Sequence, residues 1–343
     1  MTADRPQRFN NLDESLLVSD LGEHAFISKL IAPILGDRGG ICLLDDCAVY
    51  QVEESTLLLS IDQGPRITFL ELLGIGSPQD IGHFLVTINV SDIAAMGGTP
   101  TALLLALGLI GDENVHYVRD LLDGITQALD EYGMQLIGGD TKQADIRTTT
   151  ITVIGEMIEG KPLLRRGARP GDQVFITPGK IGRHLRNYVD AAKGRRLKTD
   201  WLVQRPKAEV AFGQYLSKSG IATSCLDMSD GVLRSAAILA ETNNVLVSLA
   251  PGSIPVSDSP VSGREQEWVD MVLSVGGDFG LMFTTSKEDS GRAMGRGAHW
   301  IGEVRERQRG VDQDELLEHV RRSNVWEHFR TVELTTKRLL SFI

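Results

Sequence analysis

Residues 78–109 read PQDIGHFLVTINVSDIAAMGGTPTALLLALGL, and this stretch decides the organisation of the first half of the chain. Ile81, Phe84, Leu85, Ile88, Asp92 and Ala95 fall close to one helical face, and Pro78 suits a helix start, so a helix is expected over 78–96. Gly97, Gly98 and Pro100 stop it, and Thr101–Leu109 is an apolar run of strand length. Upstream, Thr56–Ile61 reads as a buried strand ending at Asp62, and Ile41–Leu44 runs into Asp45-Asp46. Glu23–Ile34 has helical spacing and is broken at Gly36–Gly40. Downstream come a helix over Val115–Tyr132, a short strand Met134–Ile137 delivering a Gly138-Gly139-Asp140-Thr141 turn, and an alternating, Thr/Ile/Val-rich strand over Arg147–Met157. The first half is therefore expected to place strands and helices on one mixed sheet.

At 343 residues the chain suits about two domains of roughly 150 residues each. GKPLLRRGARPG (160–171) is the candidate junction. Strands over Gln173–Thr177, Ile221–Leu226, Val245–Leu249 and Leu281–Thr284 follow it, with helices within 180–192, 207–219 and 232–242. The expected division is a polar lead-in (1–22), an N-terminal domain (23–159), a C-terminal domain (160–305) and a helical extension (306–343).

Hydrophobic residues at 42% and charged residues at 24% are ordinary for a globular protein. The net charge of −11 argues against a nucleic-acid partner. It does not argue against nucleotides, because magnesium mediates between carboxylates and phosphates. Cys42, Cys47 and Cys225 form no CxxC pair, which suggests reduced thiols in a cytoplasm rather than disulfides or zinc. The N-terminus shows no signal-peptide pattern, and the most apolar run, Ala102–Ile110, is far shorter than the roughly 20 residues of a membrane span.

The aspartates carry the chemistry. Asp45, Asp46, Asp62, Asp140, Asp227, Asp230 and Asp278 lie at strand ends or in glycine-rich turns, and Asp92 follows Asn89 on one helix face. Any one of them reads equally well as a turn or cap residue. Together they would repel unless a cation sat among them, and hard oxygen ligands suit magnesium. The Gly138–Thr141 and Ser229-Asp230-Gly231 turns offer backbone N–H groups, and the second opens a helix. Asp227 or Asp230 could orient a nucleophile or hold the metal. Arg165, Arg166 and Arg169 could reach a polyphosphate, or form an exposed solubilising turn. Cys225 reads as a small buried residue, and His83, His116 and His184 as structural or surface residues. P-loop, protein-kinase and Rossmann glycine patterns are absent.

LLDDCAV (43–49), LLLSID (57–62), INVSDIAAMGGTP (88–100), LIGGDT (136–141), RRGARPGDQVFIT (165–177), LDMSDGV (226–232) and GGDFGLMFT (276–284) run in the order of a known superfamily. The chain resembles the superfamily of aminoimidazole ribonucleotide synthetase, selenophosphate synthetase, hydrogenase-maturation dehydratase and thiamine-monophosphate kinase, and most of all the last. The resemblance covers all but about the last forty residues. It implies a two-domain α/β (α+β) fold: an N-terminal domain that pairs with a second copy into a dimeric β-barrel, and a layered C-terminal domain. ATP would lie between the domains. By motif position, Asp45, Asp62, Asp92, Asp140 and Asp230 would hold magnesium and phosphates, with Asp46 in support. Gly138, Gly139, Thr141, Arg165 and Arg169 would contact the nucleotide, and Asp227, Ser229 and Asp230 would face the transferred group.

Two stretches depart from the kinase pattern. Its VEGVHF segment is replaced by Gln63–Phe69 (QGPRITF), and its GGEDYEL by Gly276–Leu281 (GGDFGL). Both fall on the acceptor side. The expected activity is an ATP- and magnesium-dependent phosphotransferase, with the acceptor open between thiamine phosphate and another small molecule. The alternative is an ATP-dependent ligase, cyclase or dehydratase that activates an amide or carbonyl oxygen. A non-catalytic nucleotide-sensing dimer is a third reading, and the repulsive carboxylates argue against it.

Overall fold

The computed structural model describes Leu17 and residues 26–31, 45–65, 67–194, 205–307, 337 and 340–343. In the first half, strands β1 (Ala48–Val52), β2 (Ser55–Gln63), β3 (Thr99–Leu109), β4 (Gln135–Gln143) and β5 (Thr148–Glu156) form one sheet in the order β1-β2-β5-β3-β4. The short helix α1 (Phe69–Leu72) and the long helices α2 (Pro78–Ala95) and α3 (Val115–Tyr132) accompany it. The sheet is mixed, as expected: β3 and β4 run parallel, and the other pairs are antiparallel. Parallel neighbours need a crossover, and α3 supplies it.

The side-chain period of two sets the sheet's faces. Along β5, Thr149, Ile151, Val153 and Gly155 are buried while their neighbours are not. Leu58, Leu103 and Leu105 are buried with them. The opposite face leaves Tyr50, Ile61 and Leu104 exposed. Helices α2 and α3 approach closely because Gly82 and Gly124 lack side chains; a Cβ at either would strike the other helix's backbone at Leu121 or Gln79. Helix α2 starts with a capping box. The Asp80 N–H donates to Ser77 Oγ at 3.2 Å, and the Ser77 N–H donates to Asp80 Oδ2 at 3.0 Å.

Residues 160–171 carry neither helix nor strand and lead into the second sheet. Its strands are β6 (Gln173–Ile176), β7 (Ala222–Asp227), β8 (Leu246–Leu249), β9 (Leu281–Thr285) and β10 (His299–Arg305), in the antiparallel order β7-β9-β6-β10-β8. Helices α4 (Arg183–Ala192), α5 (Val210–Ser219), α6 (Val232–Asn243), α7 (Glu265–Ser274) and α8 (Ser290–Gly295) accompany it. Buried side chains of both sheets form one continuous cluster, and α2 is the seam. Gly213 of α5 packs so closely on α2 that a Cβ there would strike the Ala94 carbonyl.

Three expectations need correction or fall outside the described residues. The Gly138–Thr141 stretch is not a turn, because β4 runs through it to Gln143. A Cβ at Gly139 would strike the Leu105 carbonyl, so this glycine lets β4 lie against β3. The expected helix Glu23–Ile34 lies partly outside the described residues, and Ile27–Ile31 winds as a π-helix. Most of 306–343 lies outside them as well; Phe342 is buried against Trp268, with ring centroids 5.3 Å apart. Among the described residues no helix is long and apolar enough to cross a membrane.

Candidate functional site

Three carboxylates meet where the two sheets face each other across α2. Asp46 enters from the bend before β1, Asp92 from α2, and Asp227 from the end of β7. One oxygen from each lies within 4.8 Å of the others. The Asp92 carboxylate accepts from the Ser60 hydroxyl on β2. Asp227 accepts from Ser91 Oγ at Oδ2 and from Ser229 Oγ at Oδ1, both at 3.1 Å. Asp46 Oδ1 accepts from Arg165 Nη2 at 2.5 Å and Nε at 3.2 Å. The Asp46 side chain is 0% exposed, and its Oδ2 is buried with no hydrogen-bond partner.

The electrostatics follow from this crowding. Burial, then Asp46, pushes the Asp45 carboxyl up to about 6. Burial, then Asp46, lifts Asp227 to about 7, against the opposing pull of Arg165. Burial, then Asp227, Asp62 and Asp46, raises Asp92 well above the carboxylate range. A buried all-oxygen donor set with one orphaned oxygen and mutual repulsion fits a hard divalent cation. Cys47 and Cys225 lie near the same charges, and burial pushes both thiols up, so they are inert small side chains there.

The other expected residues divide into those near this group and those away from it. Asp45 accepts from the Arg165 N–H at 2.9 Å. The Asp62 N–H donates to Asn89 Oδ1 at 3.1 Å, which fixes the end of β2 against α2. Asp230 follows Ser229 in the turn that opens α6, and its charge acts on Asp227. A Cβ at Gly276 would strike the Ser229 carbonyl, so the 276–280 turn packs directly on that loop. Asp278 does not join the carboxylates. It caps α4, accepting from the Gly182 N–H at 2.5 Å and the His184 N–H at 3.2 Å. Arg165 turns inward to Asp46, whereas Arg166 and Arg169 are exposed.

Asp140 is not brought to the group within one chain. Asp62 pairs with Ile151, Ile151 with Leu105, and Leu105 with Gly139. Three strand spacings of about 4.8 Å separate them, roughly 14 Å in all. Asp140 pairs with exposed Ala106, so it stands on the sheet's uncovered face, where Lys142 Nζ lies 3.1 Å from it.

Sequence reasoning missed Ser60, Ser91 and Asn243 as partners of the site. Serine two residues before Asp62 has the right strand parity to face α2, and that signal was available. Ser91 and Asn243 gave none, since their partners lie 136 and 78 residues away.

Comparison with known proteins follows the same outline. Residues 44–157 match the family described as AIR synthase related protein, N-terminal domain. The thiamine-monophosphate kinase of Pyrococcus abyssi (strain GE5 / Orsay) is 33% identical over 247 residues, covering 71% of this chain and 77% of that one. That of Pyrococcus horikoshii is 31% identical over 268 residues, covering 77% and 84%. The solved structure of AaThiL complexed with AMPPCP and TMP has a TM-score of 0.71 at 24% identity, covering 86% of this chain and 94% of that one, a likeness of fold.

Proposed function

The chain belongs to the thiamine-monophosphate kinase family, and on that premise we propose that it transfers a phosphoryl group from ATP to a small acceptor at the Asp46–Asp92–Asp227 group. The observation that carries this reading is the buried, unpartnered Asp46 Oδ2 among three carboxylates drawn from both sheets. Asp46, Asp92 and Asp227 would hold magnesium, with Asp45, Asp62 and Asp230 beside them. When bound, the ion neutralises phosphate charge and orients the transfer. Arg165 holds Asp46 in place and offsets part of the carboxylate charge. Ser229, exposed at the turn and bonded to Asp227, would face the transferred group, and Arg169 would reach the polyphosphate from the rim. An already ionised phosphate acceptor has no proton to lose, so transfer to it requires no general base.

Gly64, Pro65 and Thr68 form one wall of an open cleft. Gly64, Thr68, Glu71, Tyr117, Arg147 and Thr149 line it. Its Leu85 lies seven residues before Asp92 on α2, roughly 10 Å along the helix. This cleft is the acceptor side in our reading. Gly138, Gly139, Asp140 and Thr141 would act on the nucleotide across a homodimer, two copies pairing through the uncovered apolar face into a barrel. The chain would divide functionally near residue 160.

The test is mass spectrometry of the protein with magnesium, ATP and thiamine monophosphate. ADP with thiamine diphosphate establishes transfer to thiamine phosphate. ADP and free phosphate with an unchanged acceptor favours oxygen activation of an amide or carbonyl. Absence of both nucleotide binding and turnover overturns the proposal.

A further inference from the structure

Asn243, the last residue of α6, bonds both its own helix and the loop that precedes β6. Its Oδ1 accepts from the Gly167 N–H at 2.7 Å and the Ala168 N–H at 3.1 Å. Its Nδ2 donates to the Arg165 carbonyl at 2.8 Å and to the Leu239 carbonyl at 2.9 Å. These bonds fill the capacity of a side-chain amide. Three of the four go to residues 165–168. The held loop is tightly specified. Gly167 has φ +129°, and a Cβ there would strike the Thr223 carbonyl. The Cys225 N–H donates to the Leu164 carbonyl at 2.8 Å.

Arg165 leaves this loop aimed at the carboxylates. Its N–H bonds Asp45, and its guanidinium bonds Asp46 Oδ1. With Oδ1 occupied, Oδ2 is the Asp46 oxygen left without a hydrogen bond beside Asp92 and Asp227. We infer that Asn243 is a positioning residue: by clamping the 165–168 loop it fixes Arg165, and through Arg165 the orientation of Asp46 toward the metal–nucleotide. The inference rests on the proposed reading of the carboxylate group. A helix-terminal asparagine serving only its own helix would have no need of the Gly167, Ala168 and Arg165 backbone. Partners that orient a ligand without touching the metal tune affinity in this way.

The test is calorimetric binding of magnesium with AMPPCP to the full chain, for the wild type, Asn243→Ala, Arg165→Lys and the double variant. Amide exchange at 165–168 and thermal unfolding are followed alongside. Asn243→Ala is expected to raise the dissociation constant about three- to ten-fold and to speed exchange at Gly167 and Ala168. Arg165→Lys loses the fork and weakens binding at least as far. In the double variant the Asn243→Ala step adds nothing, because its effect runs through Arg165. Asn243→Asp, which keeps the two accepted bonds and loses the two donated ones, replaces the alanine variant should that not fold, with a smaller rise. Additive effects, or faster exchange with unchanged affinity, overturn the inference alone. A wild type that binds no magnesium–AMPPCP overturns the parent reading and this one together.

Discussion

Ser91 Oγ donates to Asp227 Oδ2 at 3.1 Å, joining helix α2 of the first half to strand β7 of the second across 136 residues. The adjacent Asp92 accepts from Ser60 of β2. Two consecutive helix residues therefore tie both sheets to one carboxylate group. The site exists only while the halves are docked, so its chemistry and the stability of the seam are linked. Ser91→Ala removes the donor and leaves Asp227 less well solvated. The expected loss is about 1–2 kcal/mol in urea unfolding, with weaker magnesium binding near neutral pH. Unchanged stability and unchanged metal binding together would show that the bond has no role in the seam.

The raised carboxyls give a pH dependence of defined sign. Asp45 sits at about 6 and Asp227 at about 7, and burial and its neighbours raise Asp92 as well. Unfolded aspartates titrate near 3.9. Between those limits the folded protein binds more protons than the unfolded chain, so stability falls as pH rises from about 4 through 7. His83 works the other way below about pH 6.5, because burial lowers it. Asp227→Asn separates the two. The variant's thermal midpoint should fall less than the wild type's between about pH 5 and pH 7.5, and added magnesium should flatten the wild-type curve. Parallel curves would remove Asp227 from the account.

The same protons report on metal binding. A cation can take only deprotonated carboxylates, so binding at about pH 6 must release the Asp45 and Asp227 protons, most of which are already lost at about pH 8.5. Calorimetry in buffers of different ionisation enthalpy measures this directly. The expected result is a larger net proton release at the lower pH than at the higher. Equal release at both would mean the ion binds elsewhere.

Asp278 and Asp227 look alike in the sequence, each an aspartate beside a glycine turn or strand end. They differ in what surrounds them. Asp278 meets the N–H groups at the start of α4, and Asp227 meets two other carboxylates. Asp278→Ala should therefore cost about 1–2 kcal/mol of stability and leave magnesium–AMPPCP affinity within about two-fold of wild type. Asp227→Asn should abolish turnover with the fold intact, because a neutral amide relieves the repulsion. Loss of nucleotide binding in folded Asp278→Ala would return Asp278 to the metal group.

Much of this was legible from residues, and the illegible part has physical causes. Helix α2 was readable because its apolar positions, Pro78 and the Gly97-Gly98 stop all agree. The mixed first sheet followed from the alternation of strands and helices along the first half. The Gly138–Thr141 stretch was misread as a turn because glycine serves both turns and close strand approach. Only the Leu105 carbonyl opposite Gly139 distinguishes them. The Asp46–Asp92–Asp227 meeting could be suspected from residue type, but its membership depends on how two sheets dock on α2. That docking also decided that Arg165 turns inward while Arg169 stays out.

Asp140 raises the last question, since one chain leaves it roughly 14 Å from Asp62, three strands away. The face it occupies also exposes Leu104 at 38% and Ile61 at 66%, apolar area that a second copy would cover. Leu104→Glu should then give a monomer in sedimentation, with turnover lost. A shared site makes a sharper demand. Asp140→Asn and Asp227→Asn are each expected to be inactive alone. Co-refolded in equal amounts, they form mixed dimers in which one site draws an intact carboxylate group from one chain and an intact Asp140 from the other. About a quarter of wild-type turnover should return. If Asp140 served its own chain, every site in the mixture would carry a lesion and nothing would return. Full activity in Asp140→Asn alone would instead leave this residue to Lys142 and the surface.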